Sequence, residues 1–160
     1  QTDARITIHV NPIAEIGWSG TGLDLDLNIE DFGLNEGEEK VANLNFAGNV
    51  DADIYMSMPS SSNLQAEAAL KVTPMNPVGG GTAGSSVIFR KDTDGSMEQG
   101  ALDTWYKMAD MDKMAAGEVF GGSYLPVEFH ALADWGVANE NTTGRTVTLN
   151  WTVVENETTP

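Results

Sequence analysis

The sharpest chemical grouping in this chain is Asp92-Thr93-Asp94-Gly95-Ser96-Met97-Glu98. Two carboxylates precede a glycine that permits a tight turn, and a third follows it. Hard oxygen ligands converging on such a turn suit Ca²⁺, so Asp92, Asp94 and Glu98 are the candidate metal ligands. The grouping is not an EF-hand, because the third acidic loop position and the closing bidentate Glu are missing. Its alternative is an acidic, solvated turn. No cofactor is required by any other pattern in the chain.

Other acids alternate with apolar residues. Asp24 and Asp26 point outward from one segment, Asp51 and Asp53 from another. If those segments were neighbours, like charges would oppose one another across a ladder. Either a cation or separation of the two strands would relieve that.

Catalytic constellations are weak. His9 and His130 are the two histidines. His130 and Asp134 share one strand face, the start of a Ser-His-Asp set, but no serine stands in a G-x-S-x-G elbow. Both histidines read as surface residues. With 24 acids, carboxylate pairs arise everywhere, so none stands out as a glycosidase pair. Gly79-Gly80-Gly81 lacks the lysine and following helix of a phosphate loop. The expectation is a protein that is not an enzyme. Of Trp18, Trp105, Trp135 and Trp151, only Trp105, beside Tyr106, reads as a sugar-binding platform. The rest read as core or rim.

The elements that would carry these residues have period two. Ile6, Ile8 and Val10 fall on one face, with Ile13 and Ile16 continuing to Trp18. Leu23, Leu25, Leu27 and Ile29 alternate with Asp24, Asp26 and Asn28, the pattern of a half-buried antiparallel strand. Further strands are expected over 41–46, 50–58, 64–72, 87–90, 124–135 and 146–154, with turn residues between them. The stretch 101–116 reads as helix: Leu102, Trp105 and Ala109 form one row, Met108, Met111 and Met114 another, and Gly100 and Gly117 bound it. About eight short strands with polar outer faces make an all-β sandwich, of jelly-roll or immunoglobulin-like topology, over residues 1–160 as one domain.

Composition narrows the setting. Twenty-four acids against eight bases give a net charge of −16. That surface repels phosphate backbones, so no nucleic-acid partner is expected. No apolar run approaches the ~18 residues of a membrane span. There is no cysteine, hence no disulfide and no thiolate metal site. A start at Gln1 reads as the product of leader removal. Sequons at Asn141, Asn150 and Asn156 fit a secreted or cell-surface glycoprotein.

The N-terminal segment is unusually apolar for a terminus. Ile6, Ile8, Val10, Ile13 and Ile16 suit a strand donated to an identical neighbour, the logic of donor-strand complementation. The alternative is an edge strand of their own domain, beside 146–154. Taken together, Ala4–Val10, Gly22–Leu27, the Gly37–Lys40 turn and Asn49–Ile54 resemble the opening of secreted β-sandwich filament subunits. The resemblance is to the TasA/camelysin biofilm-fibre group and the archaeal bundling pili, over roughly the first sixty residues. It implies a jelly-roll subunit that donates its N-terminal strand to the next copy, with residues 5–16 as donor. The leading expectation is a subunit of an extracellular homopolymer. A secreted carbohydrate-binding or adhesive module is the alternative, and a secreted hydrolase the third.

Overall fold

In a strand, alternate side chains face opposite ways, so period-two apolar residues bury only if a second layer covers them. That is how the centre of this chain is arranged. The computed structural model describes residues 2–20, 22–25, 27, 39–133 and 146–156. These carry ten strands and no helix. In chain order they are β1 (Ala14–Trp18), β2 (Glu39–Gly48), β3 (Ala52–Ser57), β4 (Ala68–Pro74) and β5 (Gly81–Ala83). There follow β6 (Val87–Lys91), β7 (Met97–Gln99), β8 (Tyr106–Met111), β9 (Ser123–Ala133) and β10 (Asn150–Glu155).

One sheet has six strands in the order β1-β2-β9-β4-β6-β7; the other has four, β10-β3-β8-β5. Every pairing is antiparallel. The two sheets share one core, in the manner of a β-sandwich. Leu44 and Phe46 of β2, Val72 of β4, Phe89 of β6 and Leu125 and Val127 of β9 come from the larger sheet. Ile54 and Met56 of β3, with Met108 and Met111 of β8, come from the smaller. Burying one such side chain is worth roughly 1.5–3 kcal/mol, which makes this central cluster the main stabilising feature.

The expected helix over 101–116 does not form, and β8 occupies its centre. The helix-like spacing comes from a bulge in the strand. Ile54 pairs with Ala109 but Tyr55 pairs with Lys107, leaving Met108 as an extra residue in the ladder. A bulge shifts the strand by one residue and so reverses its alternation. Met108 and Met111, three apart, therefore both point inward, and the spacing imitates a helix.

The Gly-rich stretch is also structural. Gly79, Gly80 and Gly81 all have φ between +94° and +128°. Side chains there would collide with Ser123, Asp112 and the carbonyl of Asp110. Only glycine lets the chain lie this close while entering β5.

At the N-terminus the strand lies later than the periodicity suggests. Residues 14–18, not 5–10, pair with β2, and they do not pair with β10. Leu23, Leu25 and Leu27 lean on the core and Asp24 is exposed, but residues 22–25 and 27 are not in a ladder.

Candidate functional site

The most exposed large apolar side chains of the described residues lie ahead of β1. Ile6 and Ile8 are each 82% exposed and Val10 is 81% exposed. Residues 2–12 belong to neither sheet. Of the expected donor residues, Ile6, Ile8 and Val10 stand on this arm. Ile13 is 55% exposed at its root. Ile16 differs: it is a half-buried member of β1, packed on the core opposite Phe46.

The root is clamped by one side chain. Asn49, in the turn after β2, accepts the Ile13 amide on Oδ1 at 2.8 Å and donates from Nδ2 to the Asn11 carbonyl at 3.0 Å. Its own backbone amide donates to the Ile13 carbonyl at 3.1 Å. These bonds hold Asn11 and Ile13 against the turn after β2. Beside the clamp a shallow groove of about 390 Å³ runs between Ala47 and Met114–Ala116, with Ile13 on its wall. The exposed Phe120 lies close by, against Gly17.

The adjoining edges of the two sheets close on tryptophan. Trp18 of β1 meets Trp151 of β10 edge to face, with ring centroids 5.2 Å apart, and Phe129 stands 6.0 Å from Trp18. Both indoles are only half-buried. Trp105 is half-exposed just before β8, while its neighbour Tyr106 turns inward onto Phe89 and accepts the Ala101 amide on its hydroxyl. Trp135 lies outside the described residues.

The candidate calcium turn holds itself together without converging its carboxylates. Asp94 accepts both the amide and the hydroxyl of Ser96, chiefly the hydroxyl, and this holds its carboxyl below the usual value. Asp92 caps the Thr93 amide, and Glu98 pairs with Arg90 at 3.2 Å. Among the described residues, no group of three or more acids or histidines is placed to hold a metal ion.

Like charges do face each other elsewhere. Asp53 lies directly opposite Asp110 across the β3–β8 ladder. Lys107 sits between them, 2.6 Å from Asp110 and 3.4 Å from Asp53. Asn156 also donates to Asp53, at 2.8 Å. A hydrogen bond with Asp53, formed when one carboxyl of the pair carries a proton, and then one from Lys107 hold the Asp110 carboxyl below its usual value. The hydrogen bond to Asp110 in turn raises the Lys107 ammonium. A lysine held protonated in this way serves as a counter-ion to the two carboxylates. A juxtaposition of Asp24 and Asp26 with Asp51 and Asp53 is not formed by the described residues, since 22–25 and 27 pair with no strand. Asp24 is exposed and Asp26 lies outside the described residues.

His130, expected on the surface, is buried on the outward side of β9. Glu39 and Lys71 are its neighbours across the two ladders, and Glu39 lies 3.6 Å from Nδ1. His9 is exposed on the arm. Asp134, the suggested partner of His130, lies outside the described residues, so the structure places no such pair. Of the sequons, Asn150 is exposed on β10, Asn156 spends its amide nitrogen on Asp53, and Asn141 is outside the described residues. No described helix is long and apolar enough to cross a membrane.

Fold and surface define an all-β, sandwich-like protein with an unpaired apolar arm. No family model matches the sequence, and no curated protein or solved structure is significantly similar to it.

Proposed function

We propose that this chain is a structural subunit of an extracellular homopolymer, a pilus or matrix fibre, in which the N-terminal arm of one copy adds as a strand to the next. The reading treats the two sheets as a jelly-roll-type sandwich. One observation carries it: Ile6, Ile8 and Val10, spaced two apart in sequence, are more than four-fifths exposed on a segment whose root is clamped by Asn49. Three bulky β-branched side chains in water cost the free chain roughly 1.5–3 kcal/mol each compared with burial. Their burial against a neighbour, with ladder hydrogen bonds added, is of the size needed to offset an association cost of ~4–15 kcal/mol. No catalytic chemistry is invoked, and a bound ion is not required.

Electron microscopy tests this on the full chain beside a chain lacking residues 1–10. The cut must stop there, because β1 begins at Ala14 and Asn49 holds Asn11. Filaments from the full chain and folded monomers from the shortened one are expected. A full chain that stays monomeric over a range of protein and salt concentrations sinks the reading.

Trp105, 50% exposed, favours a second reading as a carbohydrate-binding or adhesive module. That reading predicts binding to a polysaccharide that Trp105→Ala abolishes without loss of fold.

A further inference from the structure

We propose that the acceptor for the arm is the outer edge of β10 in a second copy, where Ile6, Ile8 and Val10 close the seam between β10 and β1. This rests on the strand-donor reading above and names its binding site.

The two sheets end on four strands: β1 and β7 in one, β10 and β5 in the other. An acceptor edge must be long, unblocked and apolar on its inner face. β5 and β7 are three residues each. β5 also opens on a glycine at φ +128°, and the Arg90–Glu98 ion pair joins β7 to β6. β1 has five residues and is the strand from which the arm itself departs. β10 has six, Asn150-Trp151-Thr152-Val153-Val154-Glu155, with no proline and no charge before its last position. Its register with β3 runs unbroken from Asn150 to Glu155, so no bulge twists it away. Among the described residues no strand pairs with its other side.

Burial falls from the middle of the sheets to this edge. Leu44, Phe46, Ile54, Met56 and Met108, in the middle of the sheets, are at most 1% exposed. The residues packed against the core from the two neighbouring edge strands, Ile16 and Trp18 on β1 and Trp151 and Val153 on β10, are only half-buried. The Trp18–Trp151 contact shows that these edges adjoin. A strand laid along β10 with its apolar face inward would cover this seam and complete the ladder.

The arm fits in length and pattern. Residues 5–10 match the six residues of β10, about 20 Å of strand. Their apolar face is Ile6, Ile8 and Val10; Arg5, Thr7 and His9 would stay in solvent. The occupant is a second copy because the chain's own arm does not lie there: its three apolar side chains are exposed, and Asn49 holds its root beside Gly48.

The absence of native cysteine makes the test clean. Thr7→Cys chains are mixed, under assembling and mildly oxidising conditions, with chains carrying Asn150→Cys, Thr152→Cys or Val154→Cys. The three positions share one strand face, so they allow for a two-residue slip in register. Thr82→Cys on β5 and Ala116→Cys in the groove beside the arm root are the comparison sites. The expected result is a disulfide-linked heterodimer with at least one β10 position and with neither comparison site. Filaments that cross-link through Ala116 or Thr82, or through none of these positions, overturn the β10 assignment while leaving strand donation standing. Failure of the native chain to assemble at all overturns both.

Discussion

Trp18 and Trp151 meet edge to face at 5.2 Å, one on an edge strand of each sheet, and tie the two layers together where those edges adjoin. Aromatic pairs in this geometry are worth about 0.5–1.5 kcal/mol beyond the area they bury. Trp151→Ala is expected to destabilise the fold by about 2–4 kcal/mol, at or below the range for a fully buried tryptophan, because the ring is half-exposed. Urea unfolding of Trp18→Ala, Trp151→Ala and the double variant measures the coupling. Strict additivity would mean that the contact contributes nothing of its own.

Lys107 separates two aspartates that face one another across a ladder. Lys107→Met removes the cation and leaves the repulsion. Its melting temperature should fall below that of the native chain at low salt, and the deficit should shrink as salt is added, because screening weakens exposed charge pairs. A deficit independent of salt would point to lost packing of the lysine stem.

The Asp110 carboxyl is held below its ordinary value, first by Asp53 and then by Lys107. As pH falls, the unfolded chain takes up that proton before the folded one does. The stabilising contribution is therefore complete above the ordinary carboxylate value and is lost as pH drops through the lowered native one. Asp110→Asn should flatten this part of the acid limb in a plot of stability against pH. An unchanged acid limb would contradict the assignment.

Gly81 and Gly95 make a matched pair. Both have positive φ, but a side chain at Gly81 meets the Asp110 carbonyl, while the space around Gly95 is open. Gly95→Ala should cost about 1 kcal/mol, the backbone term alone. Gly81→Ala adds a clash with a core-flanking strand and should cost about 2–4 kcal/mol. Chemical denaturation of the two variants checks the difference.

The arm gives a prediction that separates stability from assembly. Changing Ile6, Ile8 and Val10 together to Ser should leave the stability of the isolated subunit within about 0.5 kcal/mol, since exposed positions contribute little. The same variant should form no filaments. A large loss of monomer stability would show that the arm packs on its own domain in solution.

Period two was sufficient for the central strands. The inward residues Leu44 and Phe46, Ile54 and Met56, Leu70 and Val72, and Val127 and Phe129 are those that alternation selects, because each sits on a regular strand covered by a second layer. All-β class and the two-layer arrangement followed from that pattern. Four features depended on tertiary structure. The bulge at Met108 is set by pairing with β3, so the sequence of β8 alone, with methionines three apart, suggested a helix. Asp53 finds Asp110 and Lys107 only because β3 and β8 are neighbours, which no local pattern encodes. His130 is buried although it points away from the shared core, since alternation says which way a side chain faces and not what lies over it. Ile6, Ile8 and Val10 alternate as well as any core strand, yet stand in solvent. Periodicity records which residues are able to share a face; whether a partner covers that face depends on what the rest of the fold, or a second molecule, brings to it.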